Sequence, residues 1–424
     1  MSSSSIAFTS SLLPTSSRFA AIYDAHDFRD DDPIDLAKAK LLNGKSYLNP
    51  TNRPGSLACL SVRFALEFNM EAAGNVARTQ VERHMRLCLA ATATTERETF
   101  VTLAGSEPLL AEAAYELMKG TQLNPVRHLA SHSDLDCVDR GRRGELVAAL
   151  LIMRACDAAR AVRESRRWIS VDGFMKELLP QTKYEILKET FPTFYRDGQK
   201  QQIVTTFKDY GIWFNHVIKV EKKKMFSANH LWKFITRGAL IMCSDNQEGV
   251  DIVIPICHTN QALSRHTVTA ILVQVKNEET YTLKIDEELF DIMDPIKLGL
   301  FPPNVDPKPV IRIVFALAST DVGVNFPKER GCERHSEDGF TAFDVWCAGL
   351  SKDTFKHLDD DLASYQFLLE RSLRAHDAFE LVDDLKMDEE TRRLRGSLRR
   401  RMAPLITDRD DAHHTIYLGK DGRL

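Results

Sequence analysis

Apolar residues first fall into register at Ser56. Leu57, Leu60, Phe64 and Phe68 recur near every fourth position, and Val81, Met85 and Leu89 do the same within Gln80 to Ala90. This is the spacing of one buried helix face. A third helix is expected to open at Ser106-Glu107-Pro108, where Ser106 can cap the free N–H groups and Pro108 suits the first turn. It runs through Leu109, Leu110, Ala113, Ala114 and Leu117 to Met118. The pattern predicts an all-helical domain over 56–130. A further helix starts near Asp139, where Gly141 to Glu145 lead into Leu146 to Met153. That stretch is apolar nearly all round, as a buried helix is. Residues 161–235, rich in aromatic side chains, read as a helical insertion.

The period then changes from helix to strand. Ala239 to Cys243 and Val250 to Ile256 are short apolar runs joined by Ser244-Asp245-Asn246-Gln247-Glu248-Gly249, a hairpin signal with a glycine-ended loop. Val268 to Lys276 follows as a third strand, continuously apolar and so expected to be buried on both faces. Val310 to Leu317 gives a fourth and Phe343 to Cys347 a fifth. The order of elements predicts an α+β or α/β core with helices outside.

Composition narrows the class. The chain has 424 residues, 56 Lys+Arg against 60 Asp+Glu, and a formal net charge of -4, which excludes a globally basic coat for nucleic acid but not a local basic groove. The eight cysteines contain no C-x-x-C pair, so no zinc knuckle is expected and the thiols read as reduced and mostly buried. No apolar run approaches the ~20 residues of a membrane span. Residues 1–55 form a weakly patterned leader, Ser/Thr-rich at its start, without the basic and long apolar regions of a signal peptide. A soluble intracellular protein of the cytoplasm or nucleus is expected, with no membrane partner. In the tail, 361–424, an acidic run (Asp377 to Glu390) precedes an arginine-rich one (Arg392 to Arg401). It reads as a self-compensating charged helical pair rather than a phosphate-contacting tract.

Three strand positions break the apolar rule. Asp251 begins the second strand, and Gln274 and Lys276 lie two apart on the third, so their side chains share a face. A buried lysine is costly unless it is paired or has a task. Metal-assisted phosphodiester hydrolysis accounts for all three. The carboxylate and the amide oxygen would hold a divalent ion, and the ammonium would orient the attacking water or stabilise charge on the phosphate. Glu145, at the head of the buried helix, is a third candidate ligand. The alternative is that Lys276 ends its strand in solvent, Asp251 belongs to the hairpin turn, and Glu145 only complements the helix dipole.

Glu145 on a buried helix, a hairpin carrying Asp251, and Gln274-Val275-Lys276 on the next strand resemble the PD-(D/E)xK, restriction-endonuclease-like superfamily. The resemblance implies an α-β-β-β-α-β core within a domain at about 135–360, the helical insertion 161–235 lying inside it. It implies that Asp251 is the metal aspartate, Gln274 stands at the second acidic position, Lys276 is the catalytic lysine and Glu145 the helix glutamate. Mg²⁺ or Mn²⁺ would be the cofactor. Gln274 departs from the usual Asp or Glu, which should weaken metal binding. The implied alternative to a nuclease is an inactive nuclease-like fold serving as an interaction or effector module. The helical domain would then dock a protein partner.

The chain is also similar to a large uncharacterised family of basidiomycete fungal proteins. The likeness runs through Gly105-Ser106-Glu107-Pro108, Arg143-Gly144-Glu145, Phe214-Asn215-His216, Arg237-Gly238-Ala239 and Gly249-Val250-Asp251. Longer relatives carry N-terminal sequence that is sometimes NTPase-like, so the Ser-rich leader is read as standing in for a missing front half. No G-x-x-x-x-G-K-[ST] loop is present, and no ATPase activity is expected.

Residues 201–240 hold seven Lys/Arg and two acids among several aromatics, a mixture that suits a nucleic-acid groove, DNA or RNA. Lys222, Lys223, Lys224, Lys233 and Arg237 are its candidate phosphate contacts; the alternative is the solvated rim of a small core. His128 and His132 lack the intervening glutamate of a zinc helix. His258 and His266 flank the loop after the second strand, and an exposed pair without a role is favoured over a contact to metal or phosphate.

Overall fold

Burial of both faces of one strand group organises the molecule. The helices, in chain order, are α1 (Asp32–Leu41), α2 (Arg53–Phe64), α3 (Gly74–Arg83), α4 (Pro108–Gly120), α5 (Pro125–Ser131), α6 (Arg143–Ala161), α7 (Val171–Leu178), α8 (Gln181–Lys188), α9 (Ile203–Thr206), α10 (Ala228–Thr236) and α11 (Glu287–Ile292). The strands are β1 (Leu87–Ala93), β2 (Glu98–Leu103), β3 (Ile169–Ser170), β4 (Tyr210–Ile212), β5 (His216–Lys219), β6 (Ala239–Met242), β7 (Ile252–His258), β8 (Val268–Lys276), β9 (Val310–Ala316), β10 (Gly323–Asn325) and β11 (Ala342–Ala348). A last helical stretch covers 362–370. The structure, a computed structural model, describes residues 32–370 except 46, 50, 67–73, 94–97, 132–142, 162–167, 197–198, 221–224, 245–246, 329–338 and 359.

β1 and β2 form an antiparallel hairpin of their own, and the other nine strands form one mixed sheet. β6, β7 and β8 make an antiparallel meander; the chain then passes through α11 and returns as β9, parallel to β8. β11 lies parallel beyond β9, and β10 closes that edge antiparallel. The far edge of β7 is shared. β6 pairs with it at Ile252 and Val253, and β4 pairs at Ile256 to His258. Pro255, which cannot donate to a ladder, lies in the gap between these two partners, where the lost N–H costs least.

Alternation along the strands divides the core in two. Ile252, Ile254, Ile271, Val273, Ile311 and Ile313 pack with α6 and with α1, α2, α4 and α5 on one face. Val253, Ala270, Leu272, Val314 and Trp346 pack with α10 and α11 on the other. The centre of β8 is fully buried from Val268 to Val273. Large aliphatic side chains there each contribute about 1.5–3 kcal/mol relative to exposure.

The mixed α+β class is as expected, and the five predicted strands are found within a residue or two of their runs, as β6, β7, β8, β9 and β11. Three expectations are corrected. The stretch 56–130 is not all helical: α3 stops at Arg83, Met85 has a positive φ of 61°, and the chain turns into the β1–β2 hairpin. Arg86 anchors that turn, giving hydrogen bonds to Ser61 Oγ (2.6 Å) and Thr102 Oγ1 (2.7 Å). Residues 161–235 are not a purely helical insertion, because β3 and β4 extend the sheet from β7 and β5 pairs with β6. Ser106 does not cap α4; Glu107 holds the cap position with no side-chain bond, and the Ser106 hydroxyl is used elsewhere.

Two residues inside apolar strands went unnoticed in the sequence. Arg312 on β9 and Asp344 on β11 are register partners and form a bidentate pair, both bonds 2.6 Å. Arg312 Nη1 also donates to Phe290 O at 2.7 Å, and the rings of Phe194, Phe290 and Phe340 lie 5.3–5.6 Å from the guanidinium carbon. Fully paired and ringed by aromatics, the buried charge is tolerable. It also ties α11 to the sheet, and with it the segment that follows β8.

Candidate functional site

The β7–β8 ladder ends in a fork, and the fork is where the polar strand residues meet. Ile252 pairs with Val273, so Asp251 stands opposite Gln274. Asp251 N–H donates to Val273 O at 2.9 Å. The next ladder bond is replaced: the Asp251 carboxylate itself accepts from Val275 N–H at 2.6 Å. The strand can peel away here because Gly249 takes a φ of 75° and lies against α11. A Cβ at that position would come 2.5 Å from Ile292 O. Gln274 and Lys276 therefore share the α10/α11 face at one end of the sheet, and the Asp251 carboxylate lies beside them at the Val275 N–H.

Electrostatics set the character of this end. Burial pushes the Asp251 carboxyl above the usual carboxylate range, against the pull of Val275 N–H and of the Lys276 charge. Lys276 also stands 5.7 Å from the centre of the Tyr281 ring. Gln274 is only 5% exposed, and its Oε1 is buried without a hydrogen-bond partner. A bare buried acceptor of this kind costs about 1–3 kcal/mol. Glu145 lies in the first turn of α6, whose apolar residues cover the opposite face. The Cys243 thiol feels both ends of the arrangement: burial first, then the charges of Asp251 and Glu145, raise it well above its ordinary value.

Asp251 and Gln274 bring two hard oxygen donors to this end of the sheet, and a bare amide oxygen is a donor of the kind a divalent ion takes; Glu145 belongs to α6, on the opposite face. Magnesium requires few protein ligands and keeps several waters. Among the described residues no group of three or more His, Cys, Asp or Glu is arranged to hold a metal. Any site at the fork thus depends on the amide oxygen of Gln274. His258 and His266 are not part of it, since they lie at the opposite end of β7 and β8 from Asp251. Lys222, Lys223 and Lys224 lie outside the described residues. Lys233 is exposed on α10, whereas Arg237 is committed to Ser106, donating to its Oγ at 3.1 Å and also to its backbone oxygen.

That last contact belongs to a second polar centre, which the sequence did not reveal as one unit. His216, 1% exposed, meets Ser106 Oγ through Nε2 at 2.9 Å and Asn215 Oδ1 through Nδ1 at 2.8 Å. Asn215 Nδ2 donates to Pro108 O and to Glu112 Oε2, and Asn215 O accepts from Arg63 Nε at 3.1 Å. Arg63 in turn forms a bidentate pair with Asp157, both bonds 2.9 Å. Asn215 Oδ1 can only accept, so Nδ1 carries the ring proton and Nε2 is left to accept from the Ser106 hydroxyl, which itself accepts from Arg237. His216 is then neutral, with its proton on Nδ1. Burial, then the charges of Arg237 and Arg63, push its pKa down to about 3. So weak a base draws little on a serine hydroxyl, and the Ser–His–Asn chain serves as a fastening between the start of α4, β5 and the end of α10. Gly238 is part of it: its φ is 62°, and its carbonyl accepts from Asn215 N–H at 2.9 Å.

Both centres fall within one matched stretch, residues 46–292, described as a domain of unknown function, DUF8736. The chain belongs to that family. No curated protein and no solved structure matches it. The DUF8736 match contains the fork, α6 and the Ser106–His216 fastening, and it ends with α11. β9, β10, β11 and the Arg312–Asp344 pair lie beyond it. Among the described residues, no helix is long and apolar enough to cross a membrane.

Proposed function

We propose that this chain is a metal-dependent phosphodiesterase acting on nucleic acid through a restriction-endonuclease-like core. The observation that carries the reading is the fork itself. A carboxylate, an unpartnered amide oxygen and a lysine stand at one end of the sheet, at the point where β7 leaves β8. The order of elements supports it: α6, then the meander β6–β7–β8, then α11, then β9 parallel to β8.

In this reading a bound Mg²⁺ or Mn²⁺ supplies charge stabilisation at the phosphate and an activated water. Asp251 and Gln274 hold the ion, with Glu145 completing the oxygen set from the α6 side. Lys276 holds the water or the phosphate oxygen in place and stabilises the charge that builds as the P–O bond breaks. Nucleic acid would approach from the α10 side, where Lys233 is exposed. Residues 277–301 carry seven acids against two lysines and would repel a polyanion on the α11 side.

A second reading is favoured by one observation, the neutral Gln274. With two carboxylates in place of three, the fold could serve as an interaction module that does not bind metal. Cleavage of single- and double-stranded DNA and RNA with Mg²⁺ or Mn²⁺, run beside Lys276→Ala, separates the two. Loss of cleavage in Lys276→Ala supports the enzyme. No cleavage by either protein supports the module, and equal cleavage by both exposes a contaminant.

A further inference from the structure

We propose that Asn277 is a further oxygen donor to the cation at the fork, entering from the Glu145 side; this rests on the metal-dependent reading above. Asn277 directly follows Lys276, one residue past the end of β8. Its amide lies on the first turn of α6: a Cβ on Gly144 would stand 1.5 Å from Asn277 Nδ2, 2.4 Å from its Cγ and 2.7 Å from its Oδ1. Residue 144 is therefore a glycine because the Asn277 amide fills the space of its side chain, next to Glu145.

Asn277 Oδ1 is buried and accepts no hydrogen bond, as is Gln274 Oε1. Two amide oxygens three residues apart at one strand end are thus bare, in the neighbourhood of two carboxylates. A hydrogen-bond donor would satisfy either amide alone. A hard cation satisfies carboxylates and amides together, since all are oxygen donors of the kind Mg²⁺ and Mn²⁺ take. Side-chain alternation turns Gln274 toward the α10/α11 face, while Asn277 lies against the first turn of α6, which carries Glu145. The donors then reach the ion from two sides, Asn277 directly or through a coordinated water. In place of the charge that Gln274 does not supply, the site gains another oxygen.

The test is a Mn²⁺ titration of the full chain by calorimetry, with thermal melts in metal-free buffer, on the wild type, Asn277→Leu and Asn277→Asp. Leucine branches at the same carbon with the same number of side-chain heavy atoms as asparagine, and has no bare acceptor. Asn277→Leu should melt no lower than the wild type without metal, yet bind Mn²⁺ about 10–100-fold more weakly. Asn277→Asp, which adds a charge, should bind more tightly. Should the leucine variant fail to fold, unchanged affinity in Asn277→Asp overturns the proposal. A leucine variant that folds and binds like the wild type overturns it and leaves the metal-dependent reading intact. A wild type with no saturable Mn²⁺ binding overturns that reading and this inference with it.

Discussion

Acidification offers a quantitative test of the His216 fastening. Unfolded, the imidazole gains a proton as the pH falls through its ordinary value of 6.5; folded, burial and the neighbouring arginines hold its pKa at about 3. The unfolded chain therefore binds the extra proton, and this residue's contribution to stability is whole above about pH 6.5 and is lost as the pH falls toward 3. At about pH 4.5 the unfolded imidazole is almost fully charged and the folded one almost fully neutral. The difference amounts to about two pH units of protonation at 1.36 kcal/mol each, roughly 3 kcal/mol. Carboxylates such as Asp361 also titrate at the bottom of this range. Burial works to raise that carboxyl, but bonds from Arg154, Asn124 and Arg127 outweigh it and hold it low. The control is therefore His216→Gln, which keeps an amide in the network and cannot titrate. Urea unfolding followed by tryptophan fluorescence, at about pH 7 and pH 4.5, should show the wild type losing roughly 3 kcal/mol more than the variant over that step. Equal losses would refute the argument.

The Arg312–Asp344 pair gives a prediction with an internal control. Arg312→Met leaves a buried carboxylate without a partner and should cost about 3–5 kcal/mol in chemical unfolding. Adding Asp344→Leu should recover much of that loss, and a double variant as unstable as the single one would contradict the assignment. Gly249→Ala places a Cβ against Ile292 O at a backbone φ that disfavours alanine. It should lower stability by about 1–3 kcal/mol in thermal or urea melts, and an unchanged melting temperature would contradict the close approach that opens the fork.

The sheet was readable where runs of apolar residues were long enough to be buried on both faces, as in Val268 to Lys276 and Val310 to Leu317. The fork residues were readable for the same reason, because a polar side chain stands out in such a run. Arg312 and Asp344 should have stood out by that rule too. Each looks like an isolated exception until a parallel ladder aligns residues 32 positions apart. β3, β4 and β5 are two to four residues long and carry too little periodicity to separate them from the helices around them. The β1–β2 hairpin was hidden because Val81, Met85 and Leu89 keep helical spacing across a turn fixed by Arg86 and its remote partners. Ser106 was misjudged on local grounds: a serine before Glu-Pro has the form of a cap, and only His216 and Arg237, more than a hundred residues away, reveal its use. Phe214-Asn215-His216 and Arg237-Gly238-Ala239 were visible as motifs, but their joint task is a tertiary fact.

On the proposed reading, the β7–β8 fork holds a divalent cation on Asp251 and Gln274. An anomalous difference map from crystals soaked in Mn²⁺ tests this most directly. A peak is expected within coordination distance of the Asp251 carboxylate and Gln274 Oε1, absent in crystals of Asp251→Asn. A map with no peak at the fork, or one whose peak survives that substitution, would contradict it.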